Sequence, residues 1–309
     1  MKACWTAADI PGLNRRTAIV TGASGGIGYQ IALQLAACGA HVVIASRDQG
    51  RTEAAARQIK AAAPSGSVQA ERLDLADLAS VRRFAGEFCS SRERLDILVN
   101  SAGITGGRRR QTTDGFEAHF QVNYLGHFAL TGLLLPALRA QPGSRVVTMS
   151  STIASRARID FGDLQCERGY GWLTAYAQSK LANLLFAFEF DRRSAAAGAC
   201  VASLAAHPGI AKTSLLVGKE ADWGRARRGE GLVRVVQVAL GRPAATGAVP
   251  ALYQGTDPAA ASGSYVGIPS IGRGYPTVAK IPPAALDPAT AGRLWEVSAK
   301  SAGVAYDGL

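Results

Sequence analysis

The sequence is short of the patterns that mark several large classes of protein. Its five cysteines (Cys4, Cys38, Cys89, Cys166 and Cys200) are odd in number and scattered, with no Cys-x-x-Cys pair and no histidine at metal-ligand spacing. A disulfide framework or a structural zinc is thereby disfavoured. Residues Met1 to Arg16 lack the unbroken apolar core of a signal peptide, and no window approaches the ~18 apolar residues needed to cross a bilayer. These absences argue against export and membrane spanning and make a reducing cytoplasm the expected compartment. Acidic residues are also few. The 23 Asp+Glu face 34 Lys+Arg, and the net charge of +11 suits nucleic acid, an anionic membrane surface or a phosphorylated cofactor without choosing among them.

What is present is core-forming material: 48% of the 309 residues are hydrophobic, which excludes disorder and fibrous repeats. Short β-branched runs alternate with longer Ala/Leu-rich stretches at helical spacing, the rhythm of a doubly wound α/β parallel sheet of the Rossmann type with about seven strands. Strands are expected at Thr17 to Thr21, His41 to Ser46, Val68 to Leu73, Leu95 to Asn100, Arg145 to Met149 and Val201 to Ala206, with a short seventh at Ser264 to Val266. Helices are expected at Ile27 to Ala37, Arg51 to Ala62, Leu78 to Ser90, Gly115 to Arg139, Thr174 to Ala197, Pro243 to Gln254 and Ala289 to Ala302. One domain over 1–309 is expected, with a lid-like substrate insertion at 210–242 where the rhythm breaks.

The first strand runs into Thr21-Gly22-Ala23-Ser24-Gly25-Gly26-Ile27-Gly28 and then directly into a helix. Glycine at a strand-to-helix turn lets the main chain approach a diphosphate, and the helix start offers free N–H groups and the positive end of its dipole. The context, more than the letters, makes this a dinucleotide fingerprint. Where a NAD site carries an acidic residue at the end of the second strand, this chain has Ser46 and Arg47. A guanidinium there can grip a 2′-phosphate, so NADP(H) is expected over NAD(H). Asp74 is either an adenine contact or the cap of the next helix.

Tyr176 and Lys180 stand at i, i+4 near the start of a long helix, on one face. A lysine ~4 Å from a phenol at an effective dielectric of ~20 favours the phenolate by ~4 kcal/mol, enough to bring it near neutrality for general acid–base work. Ser150-Ser151 follows the fifth strand at the sheet's carboxyl edge, where a hydroxyl can bind a carbonyl oxygen gaining charge, though one of the two is expected to cap a turn. Asn100-Ser101-Ala102-Gly103 ends the fourth strand with small residues that permit close approach to the nicotinamide half. Asn123 is a poor helix former inside an expected helix, and binding an internal water is one reason for it.

Together these residues resemble the short-chain dehydrogenase/reductase superfamily over nearly the whole chain. Its Thr-Gly-x-x-x-Gly-x-Gly matches residues 21–28, its Asn-Asn-Ala-Gly matches 100–103 with Ser101 for the second Asn, and its Tyr-x-x-x-Lys matches Tyr176 and Lys180. The resemblance implies a catalytic tetrad of Asn123, Ser151, Tyr176 and Lys180: Tyr176 exchanges the proton, Lys180 tunes it and holds the nicotinamide ribose, Ser151 positions the carbonyl, and Asn123 fixes a relay water. It implies cofactor contacts from Gly22, Ser24, Gly26, Ile27, Gly28, Arg47, Asp74, Leu75, Asn100, Ala102, Gly103, Tyr176, Lys180, Pro208, Gly209 and Thr213. A long segment from Ser151 to Tyr176, with Phe161-Gly162-Asp163-Leu164 and Leu294-Trp295-Glu296, is similar to the retinol-dehydrogenase-like and protochlorophyllide-reductase-like branch and implies a bulky apolar substrate.

The expected activity is hydride transfer between NADP(H) and a carbonyl or alcohol, with reduction favoured by a reduced cofactor pool. The alternatives are a catalytically idle NADP(H)-binding regulator and a nucleic-acid-binding protein that uses Arg108-Arg109-Arg110 and Arg225-Ala226-Arg227-Arg228. Those basic runs lack interleaved aromatic platforms, so no nucleic-acid partner is expected. The long helices after Gly115 and Thr174 could pair across a two-fold axis into a homodimer or homotetramer, and a monomer is the other option. Phe161, Trp172, Leu215, Leu216 and Trp223 are the candidate walls of the substrate pocket.

Overall fold

The computed structural model describes residues 4–209, 242–269 and 274–309. β1 (Thr17–Thr21), β2 (His41–Ser46) and β3 (Ser67–Arg72) alternate with α1 (Gly26–Ala37), α2 (Gln49–Ala62) and α3 (Leu78–Ser91). β4 (Ile97–Asn100) follows, then a π turn over Phe120–Leu125 that continues into α4 (Gly126–Leu133) and α5 (Leu135–Arg139). β5 (Ser144–Met149), α6 (Trp172–Ala196), β6 (Val201–His207), α7 (Ala244–Thr256), β7 (Tyr265–Gly267), β8 (Thr277–Val278) and α8 (Pro288–Ala302) complete the chain.

The strands form one eight-stranded sheet in the order β3-β2-β1-β4-β5-β6-β7-β8, parallel except for the antiparallel β7–β8 pair. The eighth strand was not anticipated, since two exposed residues carry no periodicity. Side chains alternate across the sheet. Ile19, Val43, Leu98 and Val146 face a core with α3, α4, α6 and α8, while Val20, Val42, Ile44 and Val147 face a second core with α1, α2 and α7. Because both faces are covered, the central strands are continuously apolar, whereas β3 at the edge alternates. The order reverses between β1 and β4, so a crevice opens at their carboxyl ends, where ligands bind in such sheets.

The helix expected from Gly115 to Arg139 is corrected on three counts. It begins at Ala118, because Gly115 has φ +84° and Gln111 and Glu117 form a β-bridge across the turn. It carries a π turn around Asn123. It also breaks at Leu134, where Pro136 lies in the first turn of α5 and has no N–H to donate. α8 packs on α4 and α6, with Trp295 among Phe128, Phe186 and Tyr306 at ring separations of 5.2, 5.9 and 4.5 Å. No helix among the described residues is long and apolar enough to cross a membrane.

Candidate active site

Thr21 closes β1 and ties its turn to the end of β4. Its Oγ1 accepts from the N–H groups of Ser101 and Ala102 at 2.9 and 3.0 Å. Gly22 takes φ +69°, and a Cβ there would stand 2.7 Å from Ala102 Cα. A Cβ on Gly28 would stand 2.6 Å from the Gly22 carbonyl oxygen, so turn and helix leave no room for a side chain between them. α1 starts at Gly26 with no side chain capping it, and Ser24 and Ile27 lie half-buried beside that start. A glycine-lined turn beside uncapped helical N–H groups fits a diphosphate.

The adenosine end lies along β2 and β3. Arg47 is exposed just past β2, and the next residue, Asp48, caps α2 by accepting from Arg51 N–H at 3.0 Å. Asp74 does not cap α3. That role falls to Asp77, while Asp74 Oδ1 accepts from Ala76 N–H at 3.0 Å in a local turn. Leu75 is buried against Gly126. At the other end, Asn100 is buried and donates to Thr131 Oγ1 at 3.1 Å, and its Oδ1 has no hydrogen-bond partner among the described residues. Pro208 and Gly209 follow β6, where the Gly209 N–H donates to His207 Nδ1 at 3.1 Å. Burial holds His207 down to about 4, so it is a neutral structural acceptor. Thr213, Leu215, Leu216, Trp223, Arg225 to Arg228 and all of the expected lid except Arg242 lie outside the described residues.

The fold brings Asn123, Ser151, Tyr176 and Lys180 together. The two serines after β5 differ: Ser150 is buried and donates to the Lys180 carbonyl at 2.7 Å, whereas the half-buried Ser151 caps the helical turn that follows, accepting from Ile153 N–H at 3.5 Å, and neighbours the Tyr176 phenol. Lys180 Nζ donates to the Met149 carbonyl at 3.2 Å, which leaves two hydrogens for other partners. Asn123 clamps the loop after Gly103. Its Oδ1 accepts from Ile104 N–H at 2.7 Å, and its Nδ2 donates to Ile104 O and Ser179 Oγ at 3.0 and 2.9 Å. One Oδ1 lone pair remains for a water.

Charge in this cluster differs from the expectation of a lysine-acidified phenol. Burial pushes Tyr176 above the usual phenol range, and the neighbouring Ser151 hydroxyl only partly opposes it. Burial likewise pushes Lys180 down to about 8, with Nζ 5.8 Å from the centre of the phenol ring. Desolvation penalises both charged forms. The phenol is therefore held as an acid.

Other residues enter the site that sequence reading passed over. His119, Asn123, His127 and Thr131 recur at four-residue steps and are all buried on one stripe of the π turn and α4. His127 Nδ1 donates to the Asn123 carbonyl at 3.0 Å, which leaves Nε2 to accept from Thr21 Oγ1 at 2.9 Å. The imidazole thus couples the glycine turn to the Asn123 turn. Burial holds it near 4, with the Lys180 charge adding to the shift. The signal was in the sequence as a polar i, i+4 stripe on an otherwise apolar helix. Phe161, expected as a pocket wall, instead lies under the Arg293 guanidinium of α8 at 4.1 Å, while Trp172 is half-buried at the start of α6. Arg109 pins two loops together, donating to Gln165 O at 3.1 Å and pairing with Glu167.

A doubly wound sheet with a glycine turn at its switch point and a tyrosine–lysine helix beside it defines a dinucleotide-binding protein of the Rossmann class. The chain belongs to the short chain dehydrogenase family, whose profile matches residues 16–223. It is 46% identical to human retinol dehydrogenase 13 over 214 residues, a stretch that covers 69% of this chain and 63% of that protein's own length. It is 42% identical to human dehydrogenase/reductase SDR family member 13 over 299 residues, 94% of this chain and 74% of the relative. The crystal structure of an uncharacterized protein from Mycobacterium Paratuberculosis superposes with a TM-score of 0.79 at 37% identity, covering 98% of this chain and 99% of that one.

Proposed function

We propose that the protein is an NADP(H)-dependent oxidoreductase that interconverts a carbonyl and a primary or secondary alcohol on a bulky, apolar substrate, with Tyr176 as acid and base. The observation that carries the reading is the gathering of Asn123 Oδ1 and Lys180 Nζ beside Gly103, with the Tyr176 ring 5.8 Å from that Nζ, at the edge of the sheet that bears the glycine turn. Gly22 to Gly28 and the start of α1 would hold the diphosphate, Arg47, Asp74 and Leu75 the adenosine half, and Asn100, Ala102, Gly103, Pro208 and Gly209 the nicotinamide half. When bound, the nicotinamide supplies or accepts the hydride.

Ser151 holds the substrate oxygen against the phenol. Tyr176, kept protonated by burial, gives its proton to that oxygen as the alcohol forms and recovers it in the reverse direction. Lys180 stabilises the phenolate left behind and has hydrogens to offer the nicotinamide ribose. The preference for NADP(H) is supported by an exposed guanidinium, Arg47, just past the end of β2, where a NAD site carries a carboxylate. The apolar substrate is supported by the resemblance to a retinol dehydrogenase. A cytoplasmic location, in keeping with unpaired cysteines, is part of this reading, and cell fractionation checks it.

A screen of hydrophobic aldehydes, ketones and alcohols followed by NADPH absorbance tests the activity. Tyr176→Phe should bind NADPH as the wild type does and lose turnover by about 10³-fold. Arg47→Ala should weaken NADPH about tenfold and leave NADH unchanged. Equal wild-type affinity for the two coenzymes refutes the preference, and an active Tyr176→Phe refutes the chemistry.

A further inference from the structure

Of the four polar side chains on the stripe through α4, three have their bonds accounted for. His119 does not: its Nε2 is buried with no hydrogen-bond partner among the described residues. Its Nδ1 meets Glu117 Oε1 at 2.8 Å, while Glu117 Oε2 accepts from Phe120 N–H at 2.8 Å. Capping the helix start explains the second oxygen and leaves the first unexplained. Burial pushes the Glu117 carboxyl up, but the hydrogen bonds from His119 and Phe120 outweigh it and hold the group below the usual carboxylate range. A carboxylate can only accept, so Nδ1 carries a hydrogen and the ring is locked in orientation.

The ring so fixed faces Tyr176. The two ring centres are 6.3 Å apart at 72°, an edge-to-face contact. Tyr170, from the loop before α6, flanks the same imidazole with its hydroxyl 3.4 Å from Nδ1. His119 precedes Asn123 by one helical turn as Tyr176 precedes Lys180, so the imidazole–phenol contact lies one turn from the Asn123 and Lys180 groups beside Gly103. The phenol thereby has Lys180 on one approach and a carboxylate-anchored ring on another.

We propose that His119, oriented by Glu117, is a positioning residue that fixes the direction of the Tyr176 ring and so the place of its hydroxyl against Ser151. This rests on the function proposed above. A phenol free to swing loses the alignment that proton transfer needs, and the loss falls on turnover more than on binding.

The test uses the full chain with NADPH and a panel of aldehydes that includes retinal and decanal, read on whichever turns over fastest. His119→Leu is expected to lower kcat about tenfold, with KM and the NADPH dissociation constant within about twofold. His119→Phe restores an aromatic edge without the Glu117 anchor and should recover part of that loss, leaving kcat about threefold down. An unchanged kcat in His119→Leu, a loss that His119→Phe does not recover, or a loss accompanied by weakened NADPH binding overturns the proposal. Should His119→Leu fail to fold, Glu117→Gln carries the test, since its amide oxygen can still cap the helix while the charge anchoring the imidazole is gone. A kcat reduced about threefold at unchanged KM is then expected, and full activity overturns the proposal. Tyr176→Phe separates the two readings. Turnover in that variant defeats the function itself, whereas a dead Tyr176→Phe beside a fully active His119→Leu defeats only this inference.

Discussion

Burial sets the protonation states of the site one residue at a time. Lys180, pushed down to about 8, is a cation at neutral pH and loses its charge as pH rises through that value. The reductive kcat/KM should therefore be level below about 8 and fall above it, because the phenolate formed in each turnover loses its stabilising charge. Lys180→Arg, which stays charged, should move the fall upward; a level wild-type profile across that range would remove the lysine charge from the step. Two histidines carry the opposite liability. His127 and His207 are both held to about 4 by burial, below an unfolded value of about 6.5. Between those values the unfolded chain binds more protons than the folded one, so stability falls as pH drops from about 6.5 and the loss is complete below about 4. At full extent this amounts to about 3 kcal/mol for each histidine. Urea midpoints measured at neutral and mildly acid pH check it, and equal midpoints would contradict it.

Among the elements, the turn between β1 and α1 has no room for an added side chain at Gly22 or Gly28. Gly28→Val sets a side chain against the Gly22 carbonyl and should cost about 2 kcal/mol of overpacking while abolishing measurable NADPH binding. Gly25→Ala is the control, since a Cβ there meets nothing within 4 Å and should leave the melting temperature unchanged. Equal melting temperatures for the two variants would show that the closeness of this turn does not limit its packing. This turn was legible in the sequence because its glycines follow an apolar strand. The helix through Asn123 was legible only in outline. Its late start, π turn and break depend on a β-bridge between Gln111 and Glu117 and on a proline without an N–H, and of these only Pro136 is marked in local sequence.

At the scale of the whole molecule, α8 changes what the helix pair can do. A four-helix interface between copies would use the outer faces of α4 and α6. Here Trp295 of α8 occupies that ground among Phe128, Phe186 and Tyr306, with the Arg193 guanidinium 4.7 Å from its ring centre. The wild type is accordingly expected to sediment as a monomer, or to associate through some other face. Trp295→Ala should cost about 4 kcal/mol by leaving a cavity beneath α8. Analytical ultracentrifugation and denaturant unfolding check both, and a dimer broken by substitutions on α4 would refute the first.

The sequence by itself determined the alternation of strands and helices, the glycine turn and the Tyr176–Lys180 spacing, because each is a short-range pattern of side-chain size, polarity and backbone freedom. Only the tertiary structure decided which serine meets the phenol, that His127 bridges Thr21 to Asn123, that His119 faces Tyr176, and that α8 covers the helix pair. Those pairings join residues far apart in the chain. Their charge states follow from how much water the packed fold removes, a quantity that no local window of sequence contains.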